Sequence, residues 1–338
     1  MRSKTTLKDI ANEVGVSITI VSGVLNGHPV RVSEEKREEI VRVAKERKYL
    51  PNRIARSLVS RRSKTFGLII PSIESRTYTS YTKNLEGLCQ KEGFGLFIAN
   101  TNDRLERDLA TMAQLVERGV DGIFFVPSNE SYESKELIYV LEDLPVPYVM
   151  VNRYLVNYRC DRVYFDNERG GYEATKLLLD NGHTKICCVA NTSGSNTGRA
   201  RFRGYVEALE NHGLILRPEY LIESSYTMLG GYEAGEKVLK TDTTAIVAGS
   251  DYIALGLRRA LQKRGRRVPE DYSLVSFDQS ESDFLVDPPA TTVIQNMSEL
   301  ARRSFELMNR RLAGEQGDPI EIVLDVCIRL GDTVRPLS

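Results

Sequence analysis

The stretch TLKDIANEVGVSITIVSGVLN, residues 6–26, has the periodicity of two short helices separated by a glycine. Thr6 is placed to cap the first helix, because Asp9 follows three residues later in a capping-box arrangement. The apolar residues of this segment recur on one helical face: Leu7, Ile10, Ala11 and Val14. Gly15 then predicts the end of the first helix.

The second half of the stretch predicts another helix, which begins at Ser17 and ends before Gly27 and Pro29. Its inward face carries Val21, Val24 and Leu25. A third helix is expected from Ser33 onward, with glutamates in its first turn. Two short helices joined by a tight turn and stabilised by a third are typical of a helix-turn-helix unit, although a plain three-helix bundle has the same periodicity.

The outward face of the second helix favours DNA binding over a plain bundle. Its residues are small or polar and nearly uncharged: Ile18, Thr19, Ser22, Gly23 and Asn26. A helix with such a face can enter the major groove and contact bases and phosphates. Residues 1–65 also contain 15 Lys and Arg against 7 Asp and Glu, whereas the whole chain contains 46 of each class. This basic head predicts double-stranded DNA as a partner.

The composition of the 338-residue chain is that of a globular protein, with 41% hydrophobic and 27% charged residues. No apolar run approaches the ~18 residues of a membrane span, and the N-terminus MRSKTTLKDIANEVG lacks the apolar segment of a secretory signal. The five cysteines form no C-x-x-C pair, and the three histidines lie far apart. We therefore expect a cytoplasmic protein with no membrane partner, no metal site and no cofactor.

A short basic segment, YLPNRIARSLVSRRSKTFG at residues 49–67, follows the three helices. Pro51 suits the first turn of a helix, and residues 53–59 are long enough for two turns. Such a helix is too short to be stable alone, so it should order only when another surface packs against it. Leu58 is unexpected in a basic linker, and it either packs on the neighbouring domain or acts as an apolar wedge in a DNA minor groove.

From Phe66 onward the pattern changes to apolar strands alternating with amphipathic segments. The expected strands read FGLIIP, GLFIAN, GIFFVP, YVMVN, KICCVAN, AIVAGS and YSLVSF, with a helix near residues 80–92 after the first. This order over ~270 residues predicts parallel sheets with helices on both faces, and its length favours two lobes.

Polar residues follow six of the expected strands. They are the segment SIESRTYTSY after FGLIIP, Asn152 with Arg153, Asp166 with Asn167, the segment NTSGSNTGRARFRG after ICCVA, Ser250 with Asp251, and Asp278 with Gln279. Ligands of open α/β sheets bind at the carboxyl ends of the strands, so these residues predict a polar ligand site between the lobes. Taken singly, each is also the ordinary content of an α/β loop.

The segments TLKDIANEVGVSITIVSGVLN and PNRIARSL together resemble the lactose-repressor (LacI) family of bacterial transcription regulators, and the likeness extends over essentially the whole chain. The resemblance implies that Ile18, Thr19 and Gly23 face the bases. It also implies phosphate contacts from Thr6, Ser17, Ser22, Asn26 and Asn52. Ile20 replaces a Thr that is usual in the family, and Gly23 replaces a frequent Arg or His. The operator sequence therefore does not carry over.

The same resemblance implies a role for the short basic segment. Residues 53–59, which begin with Arg53, would form the family's hinge helix. Ala55 would lie in the minor groove, and Leu58 would meet its dimer mate at a central base step.

The remaining chain resembles periplasmic sugar-binding proteins, which the LacI family shares as its effector domain. The likeness is carried by RFRGY at residues 201–205, RVPEDYSLVSFD at 267–278 and PPATTV at 288–293. It implies that Arg201 and Asp278 anchor the effector. The other implied contacts are Tyr81 before the first helix, Asn152 after its strand, Thr197 in the loop before Arg201, and Tyr226 as an aromatic wall. Such groups suit a hydroxyl-rich or otherwise polar small molecule.

We expect residues 1–50 to form the helix-turn-helix domain and 51–64 the hinge helix and linker. Residues 65–338 should form a two-lobed α/β domain like that of periplasmic binding proteins, with parallel sheets. The N-lobe should comprise about 65–160 and 291–318, and the C-lobe about 161–290 and 319–338. Since the chain ends at Ser338 without a heptad tail, a homodimer is expected rather than a coiled-coil tetramer.

The expected function is that of an allosteric repressor whose operator affinity is switched by a small polar effector, a sugar or related metabolite. Enzymatic function is not expected, since the sequence contains no dinucleotide-binding, P-loop or G-x-S-x-G motif. Two other classes remain: a solute-binding protein that serves a transporter, and a regulator whose partner is a protein rather than a small molecule. The missing signal segment and the basic head both disfavour the first.

Overall fold

The computed structural model describes residues 5–27, 29–49, 62–278 and 286–337. The chain divides into two compact units, residues 1–63 and 64–338. A separate cluster of buried side chains forms the core of the smaller unit, and the larger unit has cores on both faces of two sheets.

The smaller unit contains three helices within its described residues: α1 (Leu7–Val14), α2 (Ile18–Leu25) and α3 (Glu34–Glu46). Their apolar faces close on one another, and the centre of this core is fully buried at Ile10, Val21 and Ile40. This core explains how helices of 8, 8 and 13 residues hold together, because helices so short are marginal in isolation.

The start and end of α1 follow the predicted capping chemistry. The Thr6 hydroxyl accepts a hydrogen bond from the Asp9 amide at 3.3 Å and donates to the Asp9 carboxylate at 2.8 Å. Gly15 ends the helix with a φ of 72°, a left-handed conformation that costs glycine little.

The described residues of the larger unit form two six-stranded sheets. The strands of the first sheet are β1 (Thr65–Ile70), β2 (Gly95–Asn100), β3 (Gly122–Phe125), β4 (Tyr148–Val151), β5 (Arg162–Phe165) and β11 (Glu321–Leu324). Their order across the sheet is β2–β1–β3–β4–β5–β11, and every pairing is parallel.

The strands of the second sheet are β6 (Ile186–Ala190), β7 (Leu221–Glu223), β8 (Ala245–Ala248), β9 (Ser273–Phe277), β10 (Thr291–Ile294) and β12 (Cys327–Arg329). Their order is β7–β6–β8–β9–β10–β12, with β12 antiparallel to β10 and the other pairs parallel. The predicted α/β class with parallel sheets in two lobes is confirmed.

Helices cover the sheets as the alternating pattern predicts. Those of the first lobe are α4 (Arg76–Lys91), α5 (Leu105–Glu117), α6 (Lys135–Glu142) and α11 (Met297–Leu312). Those of the second lobe are α7 (Asn167–Asp180), α8 (Asn196–Asn211), α9 (Met228–Val238) and α10 (Asp251–Lys263). Two short 3-10 helices lie at Asn129–Ser131 and Pro218–Tyr220. Within the described residues, none of these helices is both long and apolar enough to cross a membrane.

The chain passes between the lobes at three crossover segments, which we define as residues 165–167, 294–297 and 324–327. These positions correct the expected lobe boundaries. The strands at 162–165 and 321–324 belong to the first lobe rather than the second, because they pair with each other beside β4. The strand at 291–294 belongs to the second lobe, because it pairs with β9.

The first helix of the larger unit also begins earlier than expected. Its first residue is Arg76, whereas the sequence predicts a helix near residues 80–92. The polar segment that follows β1 therefore ends sooner, and most of what was expected to be loop is helix.

Candidate ligand cleft and DNA-binding helix

A cleft of about 650 Å³ lies between the two lobes, where strands of both sheets end. Five of the six expected effector contacts line it: Asn152, Thr197, Arg201, Tyr226 and Asp278. Thr197 lies in the first turn of α8 rather than in the preceding loop. Since the lining residues follow strands of both sheets, a ligand in this cleft would touch both lobes.

Tyr81 is the exception, and the expectation for it is wrong. The side chain is 1% exposed in the core of the first lobe, and its hydroxyl lies 2.9 Å from the Ser304 hydroxyl. The aromatic residue at the cleft is Tyr78, three positions earlier on α4. The earlier start of α4 explains the error, because Tyr78 and Tyr81 lie one turn apart on the same buried face of the helix, and Tyr78, in its first turn, is the one that reaches the cleft.

Arg201 is buried and held in a fixed orientation. Its Nε donates to the Asn167 side-chain oxygen at 2.8 Å, and its Nη1 donates to the Gly249 carbonyl. The guanidinium lies over the Phe277 ring, 4.1 Å from the ring centroid. These contacts leave its Nη2 without an acceptor among the described residues, at the wall of the cleft.

Asp278 lies at the end of β9 with a φ of 69°, which turns its side chain out of the strand direction. Burial raises the pKa of this carboxyl, and the nearby Arg201 charge only partly opposes the shift. Its buried Oδ1 accepts no hydrogen bond from any described residue. A donor group on a ligand would satisfy this oxygen.

Three more buried side-chain oxygens in the cleft lack donors within the described part of the chain: those of Asn129, Asn152 and Gln295. The orientation of Asn129 follows from its neighbour, because its Nδ2 donates to the Asp103 carboxylate at 2.7 Å. The sequence reasoning missed Asn129 and Gln295. Each lies shortly after a strand, so the expectation that ligands bind at the carboxyl ends of strands could have identified both.

Arg153 forms the opposite wall from Arg201. Its Nη1 donates to the Asp103 carboxylate at 2.8 Å and to the Pro127 carbonyl at 3.3 Å. Its guanidinium lies 5.6 Å from the centroid of the Tyr78 ring. Burial raises the pKa of Tyr78 to about 12, so its phenol stays protonated at neutral pH and can donate a hydrogen bond.

The expected contact residues at the start of the second helix of the smaller unit are exposed, whereas Ser22 and Asn26 near its end are half-buried. Ile18 is 46% exposed, and Thr19 is exposed beside it. Ser17 caps the helix by accepting from the Ile20 amide at 3.3 Å. Asn26 Nδ2 donates to the Ser22 carbonyl at 2.7 Å and to the Ser22 hydroxyl at 3.2 Å, so both side chains are held in place at the C-terminal end of the helix.

Gly23 does not lie on this outward face, and its expected position is wrong. It is buried, and a Cβ atom there would lie 2.3 Å from a methyl carbon of Val30. The loop after α2 folds back over this side of the helix. Helical periodicity cannot anticipate such a loop, because it describes only the helix.

The remaining expected DNA contacts fall outside the described residues. They are Asn52, Arg53, Ala55 and Leu58, together with the proposed hinge helix at residues 53–59.

Two family models match the chain. Residues 6–52 match bacterial regulatory proteins of the lacI family, and residues 175–334 match the periplasmic binding protein-like domain. The HTH-type transcriptional repressor PurR of Histophilus somni is 30% identical over 328 residues, which are 96% of this chain and 98% of the relative. The chain belongs to the LacI family.

Solved structures of transcription regulators share the fold described above. A complex of the transcriptional regulator CelR with cellobiose is 28% identical and has a TM-score of 0.74, over 98% of this chain and all of that one. The lac repressor dimer bound to operator has a TM-score of 0.89 over the same share of this chain, and at 23% identity it supports the fold alone. As a LacI-family protein, the chain is a DNA-binding transcription regulator rather than an enzyme.

Proposed function

We propose that this LacI-family protein is a cytoplasmic repressor that binds a pseudo-palindromic operator as a homodimer. A small hydroxyl-rich metabolite, a sugar or a close relative of one, binds the cleft and switches the affinity for operator DNA. The relatives support this assignment, since PurR is a repressor and CelR binds cellobiose.

The observation that carries the ligand class is the set of buried oxygens in the cleft without donors. Asp278, Asn152, Asn129 and Gln295 each present one such oxygen, within the described residues. A buried acceptor without a donor costs about 1–3 kcal/mol. A molecule with several hydroxyl groups supplies those donors, and its oxygens accept in turn from Arg201 and Tyr78.

The charges of the cleft favour a neutral ligand. Arg153 is paired with Asp103 at 2.8 Å, and the Arg201 charge lies near the Asp278 carboxyl. The charged residues that line the cleft are these two arginines and four acidic residues, Glu74, Asp103, Asp251 and Asp278, so its described lining has no excess positive charge for an anionic group to neutralise. An uncharged polyol or sugar therefore fits better than a phosphorylated one.

The DNA-binding side of the proposal rests on α2 and the basic segment behind it. Ile18 and Thr19 would meet the bases, while Thr6, Ser17 and Asn26 would contact phosphates. Residues 53–59 would order as a hinge helix only when both protomers meet the operator, so a modest effector preference can switch binding.

A thermal-shift screen with sugars, sugar phosphates, nucleosides and amino acids tests the ligand class. A compound at 100 times its Kd adds about 2.7 kcal/mol of stability, which is easily measured. We expect neutral sugars to raise Tm and their phosphates not to. A panel in which only phosphorylated or non-hydroxylated compounds stabilise the protein would contradict this ligand class.

Selection of genomic fragments followed by gel shifts tests the DNA side. The full chain should prefer some fragments over random DNA, and the sugar found in the screen should change that affinity. Leu58→Ala should weaken operator binding well beyond the loss of one surface contact while ligand affinity is retained. Equal affinity for all fragments, with and without the sugar, would refute the proposal.

A further inference from the structure

Asn167 stands where the chain first crosses between the lobes. It is the first residue of α7 and follows Phe165, the last residue of β5, after one intervening residue. Its side chain is only 4% exposed. A polar side chain so deeply buried needs hydrogen-bond partners, and those partners lie in three separate parts of the fold.

Both the nitrogen and the oxygen of this amide are hydrogen-bonded. Its Nδ2 donates to the Phe165 carbonyl at 3.0 Å. Its Oδ1 accepts from the Arg201 Nε at 2.8 Å and from the Gln295 Nε2 at 3.1 Å. The combination requires an amide, because a carboxylate cannot donate and a hydroxyl cannot reach all three partners.

Gln295 belongs to the second crossover segment. It follows β10 of the second lobe and precedes Asn296, whose side chain caps α11 of the first lobe. The bond between Asn167 and Gln295 therefore joins two of the three segments that connect the lobes. A rotation of one lobe against the other changes backbone angles in both segments at once.

Arg201 connects the ligand cleft to these hydrogen bonds, because it lines the cleft and bonds to Asn167. Two fixed acceptors, the Asn167 amide and the Gly249 carbonyl, set the direction of its guanidinium. Because Asn167 is neutral, it orients this cation without neutralising it. The charge remains available to a ligand and to Asp278.

We propose that Asn167 is a positioning residue that links the ligand-facing Arg201 to the first and second crossover segments. A ligand that shifts the Arg201 guanidinium alters the hydrogen bonds that Asn167 makes with Arg201 and Gln295. Because these bonds connect the two crossover segments, the angle between the lobes changes. The inference rests on the proposed function for the role of Arg201 in ligand binding, but its main test needs neither ligand nor DNA.

Distances between spin labels on the two lobes test the link in the full chain. Glu117 at the end of α5 and Glu207 on α8 are exposed and lie in different lobes. They are changed to cysteine for labelling, in a background in which the exposed Cys327 is replaced by serine. Labelled chain is diluted with unlabelled chain, so that distances between protomers do not contribute.

We expect Asn167→Ala to broaden the distance distribution or shift it from that of the unsubstituted chain. Asn167→Asp should restore the narrow distribution only in part, because one carboxylate oxygen can still accept from Arg201 and Gln295 while the other cannot donate to the Phe165 carbonyl. The matched control is Asn181→Ala, which removes an amide at the other end of α7 that donates only to the Leu177 carbonyl, at 2.8 Å. This control should leave the distribution unchanged.

An unchanged distribution in Asn167→Ala, with nothing but a lower Tm, would overturn the inference, since it would show a purely structural role. If Asn167→Ala fails to fold, Gln295→Leu decides the matter, because it removes the same bond from the other side. If no sugar stabilises the protein but Asn167→Ala broadens the distance distribution, the proposed function is contradicted and this inference is retained. If a sugar does bind, Asn167→Ala should weaken it on the order of tenfold.

Discussion

Two tyrosines of α4 show how sharply the environment of a residue depends on its place in a helix. Tyr81 is buried against α11 through its bond to Ser304, whereas Tyr78 lines the cleft beside Arg153. Both lie within the six residues RTYTSY, at positions 76–81. They lie one turn apart on the same buried face of α4, and only Tyr78, which is nearer the helix start, also reaches the ligand site.

Substitution of the two tyrosines should therefore have opposite consequences. Tyr78→Ala is expected to weaken the sugar found in the screen by at least tenfold, because a ring wall and a hydroxyl are lost. Tyr81→Phe should leave that affinity unchanged and lower the free energy of unfolding by about 1 kcal/mol, because its buried hydrogen bond with the Ser304 hydroxyl is lost. Calorimetry and urea unfolding measure the two effects, and a weaker sugar in Tyr81→Phe would contradict the placement.

Asp278 is a residue at which binding and stability oppose each other. Burial raises the pKa of its carboxyl, so the folded protein binds this proton more tightly than the unfolded chain. The contribution of the group is favourable at pH values below its unfolded pKa of about 3.9, and it is lost as pH rises through the folded pKa. Above the folded pKa the carboxyl therefore lowers the stability of the free protein.

Asp278→Asn should raise the free energy of unfolding at pH 7, because an amide has no buried charge to desolvate, and it should abolish the response to the sugar, because the carboxyl acceptor is lost. The stability difference between variant and parent should shrink as pH is lowered from 7 toward 4. Denaturant titrations across this range measure it, with operator gel shifts as the functional readout. A variant less stable than its parent at pH 7 would show that Arg201 outweighs burial.

At the scale of elements, glycines let the helices of the second lobe pack in close pairs. A Cβ at Gly204 of α8 would lie 1.9 Å from the Glu168 carbonyl oxygen of α7. A Cβ at Gly171 of α7 would lie 2.0 Å from the Arg201 carbonyl oxygen of α8. The α9 and α10 helices pack in the same way, since a Cβ at Gly231 would lie 2.3 Å from the Ile253 carbonyl oxygen. Close approach of α7 and α8 also sets the backbone of Arg201, and hence its reach into the cleft.

Gly204→Ala should destabilise the protein by about 1–3 kcal/mol, because the backbones must separate to admit the methyl group. Gly87→Ala is the matched control on α4, where a Cβ would meet no atom within 4 Å. That change should stabilise by about 0.5–1 kcal/mol through helix propensity. Urea unfolding of both variants checks the signs, and an equal effect at the two sites would rule out the packing argument.

At the scale of the whole larger unit, contacts at the mouth of the cleft connect the lobes directly. The Tyr252 hydroxyl donates to the Glu74 carbonyl at 2.8 Å. The Arg199 guanidinium lies over the Tyr132 ring, 4.8 Å from its centroid, and 3.7 Å from the Glu133 carboxylate. We call these the mouth contacts. Exposed contacts of this kind contribute about 0–1 kcal/mol each, enough to bias an equilibrium between open and closed clefts.

Removal of the mouth contacts by the double substitution Tyr252→Phe and Arg199→Ala should shift the free protein toward an open cleft. The sugar should then bind several-fold more weakly, because it must first close the lobes. Arg264→Ala, which breaks the Arg264–Glu236 pair within the second lobe, is the control. Small-angle scattering and calorimetry measure the two effects. A radius of gyration and an affinity equal to those of the control would count against a role for these contacts.

Sequence patterns determined whatever depends on neighbours along the chain. The sequence predicted the capping of α1, most of the strands and the polar residues that follow them. Each of these features depends only on a few neighbouring residues. The resemblance of RFRGY and VSFD to known patterns added Arg201 and Asp278, which do lie in one cleft.

Only the tertiary structure decided what depends on residues far apart. The strand at 162–165 joins the first lobe because it pairs with residues 321–324, more than 150 positions away. Gly23 is buried because a loop returns over α2, and Asn167 matters because Arg201 and Gln295 converge on it. Local periodicity reports the face and type of an element. Which elements meet is set by long-range hydrogen bonding and burial, which a short window of sequence does not contain.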